Sequence, residues 1–464
     1  MIKINFSTLQ NLLAAQIVNS PQTDFDVESV TTDSRTNCCG SIFFALRGES
    51  FDAHQFLDQV YQQGAKVLVV EQANPMIPVP QLVVSDTKKA LGKLAEWVRL
   101  QVNPKVAAMT GSSGKTTVKE MTAAILQQTA GSEDYVLFTA GNFNNDIGVP
   151  LTLLRLTPIH RYAVIELGAN HAGEIAYTTQ LAHPDVALVN NVAPAHLEGF
   201  GSVGGVAKAK GEIYQGLTAN GLAIVNANCQ YLDMWRANIG AHSIQQFSLN
   251  NAQADIYAKS MEPYAEGYRF TLCTPQGEIE ISLPYLGEHN ISNALAATSL
   301  AMALGASLED VKIGLSLGKH VKGRLYPVKV NSQFTILDDT YNANVDSLKA
   351  AIAVLQQAAQ TVKILVVGDM AELGESTAQC HQQVAVAAQQ AGLTQVFSVG
   401  QHSKVISAAC GGEHYQQKAE LISALQQYVT TQLQAGNTIL LLVKGSRSMK
   451  MEEVIAAFKG FEQC

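Results

Sequence analysis

Apolar runs of strand length recur along the chain, separated by segments whose apolar positions return every three or four residues. Near the start, Ser41 to Leu46, Lys66 to Val70 and Gln81 to Val84 read as short strands around a helix from Ala53 to Gln63, with Phe56, Leu57, Val60 and Tyr61 on its apolar side. That pattern predicts a small α/β domain. Farther on, Val106 to Ala108, Tyr162 to Leu167, Val186 to Val192 and Leu222 to Asn226 are strand-like. Tyr268 to Cys273 and Ile279 to Leu283 read as a hairpin about Pro275-Gln276-Gly277, and Ala294 to Gly305 as an Ala-rich helix. Beyond a boundary near Lys319 to Arg324, strands (Phe334 to Leu337, Lys363 to Val367, Val396 to Val399, Thr438 to Val443) alternate with helical stretches (Ser347 to Ala359, Glu375 to Ala391, Lys418 to Leu433, Met451 to Phe458). Such alternation predicts a parallel, doubly wound sheet. No G-x-G-x-x-G follows its first strand, so a dinucleotide is not indicated.

A chain of 464 residues exceeds what one hydrophobic core sustains, so about three domains are expected, and 47% apolar content is enough to fill them. A net charge of −8 with no long Lys/Arg block argues against a nucleic-acid surface and leaves room for a local basic pocket for an anionic small molecule. The seven cysteines (Cys38, Cys39, Cys229, Cys273, Cys380, Cys410 and Cys464) form no C-x-x-C pair, a usage that fits a reducing compartment. The first residues show no charged stretch leading into an apolar core, and the longest apolar runs, such as Ile439 to Val443, are strand-sized. The reading is a soluble cytoplasmic protein without membrane insertion.

The strongest chemical signal is Thr110-Gly-Ser-Ser-Gly-Lys-Thr-Thr117, between the apolar run Val106 to Ala108 and a helical pattern with Val118, Met121, Thr122 and Ile125 on one face. Gly111 and Gly114 permit a tight turn that aims the N–H groups of Ser112, Ser113 and their neighbours at an anion held at a helix N-terminus. Lys115 then reaches the β- and γ-phosphates, Thr116 offers a hydroxyl to Mg²⁺, and Thr117 continues the helix. The usual G-x-x-x-x-G-K-[ST] spacing wants glycine at position 109, where Met109 stands, so the loop is a shortened variant.

Other strand ends carry further candidates. Glu166 closes the run from Tyr162, where an open parallel sheet binds ligands, and it is a Mg²⁺-ligand candidate weighed against a solvated strand-end carboxylate. His196 follows the run from Val186, and Lys208 and Lys210 stand at i, i+2, so one of the two faces the surface. The Asn-rich Thr139 to Pro150 holds Asn142 and Asn145, and Gly168 to Glu174 holds Asn170 and His171. Each suits either a turn or contacts to a polar substrate. Thr31 to Arg35 and Arg47 to His54 are polar islands equally suited to ordinary loops or to a phosphate or sugar, and Asn293 suits a helix cap.

Together these residues resemble the Mur ligases. The likeness rests on T-G-S-S-G-K-T, G-N-x-N-N-x-I-G-x-P, I-E-L-G-A-N-H-x-G-E-I, N-N-x-A-x-A-H-L-E-G-F-G-S, K-A-K-G-E-I, G-x-H-N-I-x-N-A-L-A, G-R, D-D-x-Y-N-A-N, G-D-M-x-E-L-G and K-G-S-R, which run from Thr110 to Arg447, and the matches as a whole extend back to Thr31. In that family the shortened phosphate loop is normal. The resemblance implies an α/β protein of three domains: an N-terminal domain for the UDP end of the substrate (residues 1–84), a central ATPase with a P-loop (85–320) and a C-terminal Rossmann-like domain (321–464). It further implies a ligase of peptidoglycan precursor synthesis that adds D-alanyl-D-alanine to UDP-N-acetylmuramoyl-tripeptide through an acyl phosphate made from ATP, acting as a monomer.

By the same likeness, Thr116 and Glu166 are ligands of the Mg²⁺ shared with ATP and His196 a ligand of a second ion. Lys210, rather than Lys208, is the lysine carbamoylated by CO₂. Asn293 is an adenine contact, Arg324 a phosphate contact and Asp339 a ribose contact, while Ser34, Arg35 and Arg47 belong to the UDP side. Asp369, Glu372, Lys444 and Arg447 either shape the dipeptide site or cap strands. A sister ligase that adds diaminopimelate or lysine is the nearest alternative, but no D-N-P-[RK] motif stands in the C-terminal domain. A folate polyglutamate ligase is more distant, and a nucleotide-binding switch would need neither the C-terminal domain nor the Glu/His/Lys cluster.

Overall fold

A computed structural model describes residues 1–48, 51–264 and 266–459. Glu49 and Ser50 of the second polar island, and Cys464, lie outside the described residues. The fold is α/β, with three main sheets that follow one another along the chain.

The first sheet has five strands in the order Gln16–Val18, Gln81–Val83, Val67–Val70, Ile42–Phe44 and Val30–Thr31. All its pairs are parallel except that of Gln16–Val18 with Gln81–Val83. Val67–Val70 is buried at every position, as expected of a central strand covered on both faces. The helix expected over Ala53 to Gln63 is split into a 3₁₀ turn, Ala53–Phe56, and a short α-helix, Leu57–Gln62. Asp52 caps the turn by accepting the N–H of His54, and the tighter 3₁₀ winding shifts the helical phase, so Leu57 and Val60 are buried while Tyr61 faces solvent.

The central sheet has nine strands, in the order Gly277–Leu283, Gly267–Thr274, Ile256–Tyr264, Ser243–Ser248, Leu222–Asn226, Val186–Val189, Lys105–Thr110, Tyr162–Glu166 and Val136–Phe138. The predicted hairpin is present, and its two strands join the sheet edge antiparallel, whereas the remaining pairs are parallel. The strand Lys105–Thr110 lies between Tyr162–Glu166 and Val186–Val189, so chain connections leave it toward opposite sides of the sheet. A ligand crevice opens at the carboxyl ends of strands at such a reversal. Between the two sheets runs the helix Thr87–Val102, absent from the hydrophobic pattern read above, which lies against Ile42–Phe44 and Val67–Val70 of the first sheet and against the helices Gly148–Leu153 and Glu174–Ala182. Asp86 caps it, and it buries Ala90, Leu91, Leu94, Ala95 and Val98.

The C-terminal sheet has the order Tyr326–Lys329, Phe334–Asp339, Ile439–Lys444, Val362–Gly368, Gln395–Val399 and Glu413–Tyr415. The four expected strands form its parallel centre, and Tyr326–Lys329 adds an antiparallel edge. Two residues of the central segment, Leu197 and Val206, are buried in the hydrophobic core on one face of this C-terminal sheet. That packing fixes the loop bearing His196 against the C-terminal domain.

Candidate functional site

The phosphate loop leaves the buried strand Lys105–Thr110 and runs directly into the helix Lys115–Ala130. Gly114 has φ +75°, and a Cβ there would stand 2.5 Å from Asn293 Oδ1 and 2.7 Å from Asn190 Nδ2, so both backbone conformation and space demand glycine. The N–H groups of Ser112 and Ser113, expected to face the anion, are instead committed to the neighbouring strand end, to the Asn191 carbonyl (3.1 Å) and Asn191 Oδ1 (2.9 Å), and the Ser112 hydroxyl accepts the N–H of Ala193 (2.9 Å). The Ser113 carbonyl accepts from the side-chain amides of Asn190 (3.1 Å) and Asn191 (3.0 Å). The first N–H groups of the helix have no intrahelical acceptor and face the anion site of the loop. Lys115 Nζ donates to the Gly111 carbonyl at 2.7 Å. Burial pushes the Lys115 ammonium below the usual lysine range; Glu166 pulls it back and Arg324 adds to the depression.

Glu166 is buried and divides its carboxylate between two donors: Thr116 Oγ1 at 3.1 Å and Asn144 Nδ2 at 2.8 Å. Its own N–H donates to Thr139 Oγ1 at 3.0 Å, and the Thr139 carbonyl accepts from Lys119 Nζ at 2.8 Å. Thr116, Asn144 and Glu166 thus form an oxygen-rich corner beside the loop. Among the described residues, no group of three or more His, Cys, Asp or Glu could hold a metal by itself. A hard ion such as Mg²⁺ fits this donor set when phosphate oxygens and water complete its shell.

Lys208 and Lys210 lie on the helix Val203–Gly211, Lys208 exposed and Lys210 buried. Among the described residues the Lys210 ammonium has neither a hydrogen bond nor an ion pair. Burial first, and the charge of Lys115 second, hold its amine well below the usual lysine range. The next acidic residue, Glu212, does not serve it: its carboxylate accepts the N–H groups of Gly173 (2.9 Å) and Ala176 (3.1 Å) and so caps the helix that follows Asn170 and His171.

His196 has a left-handed backbone, φ +52°, and so has Glu372 at φ +62°. Their side chains meet between domains, with Nδ1 2.5 Å from Oε2 and no aligned hydrogen bond at that nitrogen. Beside this pair the Glu198 N–H donates to the Glu372 carbonyl at 3.2 Å. The Glu372 carboxyl is held below the usual range by His196. Strained backbone at two facing residues is the kind of cost found at functional sites.

From the C-terminal domain, the Arg324 guanidinium lies 4.0 Å from the centre of the Tyr341 ring. Arg324 lines a cleft of about 180 Å³ together with Ser112 to Lys115, Glu166, Asn170, His196 and Lys210, all of them expected from the sequence. Gly111, Thr116 and Thr117 stand behind that surface, within the loop and the first turn of its helix. Asn144, Tyr341, Asn342, Asn344, Ser347, Ala371 and Leu373 also line the cleft and had not been singled out individually. Asn144 was hidden among its Asn neighbours, and the others lie far away in sequence.

Several expected residues are placed elsewhere. Asn145 Oδ1 accepts the Gly148 N–H at 2.8 Å and caps a helix, Asn142 does not line the cleft, and His171 is exposed beside Glu174. Asn293 sits under Gly114, accepting from Asn190 (3.1 Å) and donating to Asn290 (2.8 Å). Asp339, expected near the ribose, does not line the cleft. Its Oδ2 accepts from Lys444 Nζ at 2.6 Å and its Oδ1 from the Leu325 N–H at 3.2 Å. Both partners are buried; burial raises the Asp339 carboxyl and lowers the Lys444 ammonium, and their attraction opposes each shift. Asp369 accepts the N–H groups of Gln401, His402 and Ser403 and so caps a loop, while Arg447 pairs with Glu452. Of the UDP-side candidates, Arg35 is exposed and paired with Asp33, Arg47 is paired with Asp52 and Glu71, and the Ser34 carbonyl accepts from Gln59 and Gln63.

Family models match the chain in three consecutive stretches: "Mur ligase family, catalytic domain" over residues 26–99, "Mur ligase middle domain" over 109–301, and "Mur ligase, glutamate ligase domain" over 323–447. The chain belongs to the Mur ligase family. It is 55% identical over 464 residues, all of both chains, to the UDP-N-acetylmuramoyl-tripeptide--D-alanyl-D-alanine ligase of Haemophilus influenzae. Among solved Mur ligases, a MurF structure from Acinetobacter baumannii matches with TM-score 0.91 and 39% identity, covering 97% of this chain and 98% of that one. The MurF ligase of Thermotoga maritima in complex with ADP matches with TM-score 0.83 and 25% identity, covering 94% and 98%. Among the described residues, no helix is long and apolar enough to cross a membrane.

Proposed function

We propose that this chain is an ATP-dependent ligase that joins D-alanyl-D-alanine to the terminal carboxylate of UDP-N-acetylmuramoyl-tripeptide. It acts as a cytoplasmic monomer in peptidoglycan precursor synthesis, with domains at 1–84, 85–320 and 321–464. The observation that carries this reading is the single cleft in which a phosphate loop, Glu166, His196 and a buried Lys210 without a counter-charge meet Arg324 from the following domain. It is the equipment for moving a phosphoryl group between anions.

A carboxylate resists attack by an amine until it has a leaving group. Transfer of the γ-phosphoryl of ATP to the tripeptide carboxylate provides one and leaves ADP. The amine of the dipeptide then attacks the acyl carbon, the C–O bond to phosphate breaks, and the amine proton passes to solvent. Lys115 and Arg324 place positive charge at the transferring group, where a cleft shielded from water gives it greatest effect. Thr116 and Glu166 are suited to hold one Mg²⁺, and His196 with a modified Lys210 a second. Such ions neutralise phosphate charge when bound.

Lys210 is prepared for that modification. An unprotonated amine attacks CO₂ and releases one proton, forming a carbamate, and burial, which disfavours the ammonium form of Lys210, makes that unprotonated amine easier to reach. The cleft volume is below the roughly 300–1,000 Å³ usual for small-molecule sites, so the C-terminal domain is proposed to swing away to admit substrates.

The test is phosphate release from ATP by purified protein. Release that needs both UDP-N-acetylmuramoyl-tripeptide and D-alanyl-D-alanine is expected; release only with UDP-N-acetylmuramoyl-dipeptide plus diaminopimelate or lysine would overturn the assignment.

A further inference from the structure

The side-chain amide of Asn344 is engaged at both ends, and the two engagements lie in different domains. Its Oδ1 accepts the Ser347 N–H at 2.9 Å while the Ser347 hydroxyl accepts the Asn344 N–H at 3.0 Å, a reciprocal cap on the helix Val345–Gln357. With the oxygen committed to the cap, the amide nitrogen points the other way. There Nδ2 donates to the Ser112 carbonyl of the phosphate loop at 3.2 Å. The same peptide unit is held at its other end, where the Ser113 N–H donates to Asn191 Oδ1 at 2.9 Å. The planar Ser112–Ser113 peptide is therefore pinned at its oxygen by the C-terminal domain and at its nitrogen by the central domain. The direction of each peptide in such a loop decides which N–H groups face the anion.

We propose that Asn344 is a positioning residue that couples docking of the C-terminal domain to the shape of the phosphate loop, so that the loop grips nucleotide tightly only when the domains are closed. The inference rests on the reading of this loop as the ATP site. Capping alone does not call for asparagine, because serine and aspartate cap helices about as well. Serine is too short to reach Ser112, and aspartate would set a carboxylate oxygen against the carbonyl.

Asn344→Ser keeps the cap and removes the bridge, and Asn344→Ala removes both. Wild type and both variants are titrated calorimetrically with a non-hydrolysable ATP analogue and Mg²⁺, with thermal midpoints measured alongside. The expected result is that Asn344→Ser melts with wild type yet binds the analogue at least threefold more weakly, with a matching rise in KM for ATP and little change in kcat. A purely capping residue would lower only the melting point of Asn344→Ala. Asn344→Ser affinity within threefold of wild type overturns the proposal. Failure of wild type itself to bind the analogue would instead remove the ATP reading, and the proposal with it.

Discussion

Glu372 and His196 face each other across the domain boundary, carboxylate 2.5 Å from imidazole, each on a left-handed backbone. The contact links a strand end of the central sheet to the C-terminal domain. Because half of the Glu372 side chain is exposed, the pair contributes modestly, about 1 kcal/mol or less. Glu372→Gln should leave the melting point unchanged and lower kcat/KM no more than about fivefold, read by steady-state kinetics. A loss of a hundredfold or more would place Glu372 on the reacting groups instead.

Lys210 carries the clearest pH consequence. The unfolded chain holds the lysine proton up to about pH 10.4, and the native chain releases it well below that because of burial and Lys115. Between those limits the unfolded state binds the extra proton, so this group makes stability rise with pH, by up to about 1.4 kcal/mol per unit. Lys210→Met should therefore be more stable than wild type at neutral pH in CO₂-free buffer and show a flatter rise toward pH 10. Thermal melts at several pH values check this. The same variant should lose ligase activity.

Gly114 and Gly131 form a matched pair for testing the phosphate loop. Both have positive φ, +75° and +77°, but an added Cβ meets Asn293 and Asn190 at Gly114 and nothing within 4 Å at Gly131. Each alanine should cost about 1 kcal/mol of backbone strain. Only Gly114→Ala should also weaken binding of ATP, by tenfold or more, as measured by nucleotide titration.

Lys119 anchors Glu166 indirectly. Its ammonium is buried, bonded to the Thr139 carbonyl and paired with Glu120 at 2.9 Å, and the Thr139 hydroxyl accepts the Glu166 N–H. Lys119→Met leaves Glu120 without its partner and should destabilise the protein by about 2–4 kcal/mol in denaturant unfolding. The concentration of Mg²⁺ needed for half-maximal activity should rise as Glu166 loosens.

The residues that could be read from sequence are those where a local pattern and a strand end coincide: the phosphate loop, Glu166 and His196; the spacing of Lys208 and Lys210 said only that one of them faces the surface, and it was the family resemblance that chose Lys210, on the helix Val203–Gly211. The parallel C-terminal core was legible from pattern as well, since Val362–Gly368 is apolar from Ile364 to Val367 and Ile439–Lys444 from Ile439 to Val443. The strand Ser243–Ser248 was not, because its half-exposed glutamines give no apolar run. The helix Thr87–Val102 carried a readable signal in Asp86 and the spacing of Leu91, Leu94 and Val98. Long-range pairing was beyond any local pattern. Asp339 looks like a free carboxylate until the sheet brings Lys444 beside it, and Asn344 looks like a turn residue until its domain docks on Ser112.

The most direct test of the account follows oxygen. With both oxygens of the tripeptide's acceptor carboxylate labelled with ¹⁸O, turnover in the presence of ATP and D-alanyl-D-alanine should release phosphate carrying one ¹⁸O, because the bond to the acyl carbon breaks on the carbon side. Mass spectrometry of the phosphate reads this directly. Phosphate free of label, formed alongside the amide product, would contradict activation of the carboxylate by phosphoryl transfer in this cleft.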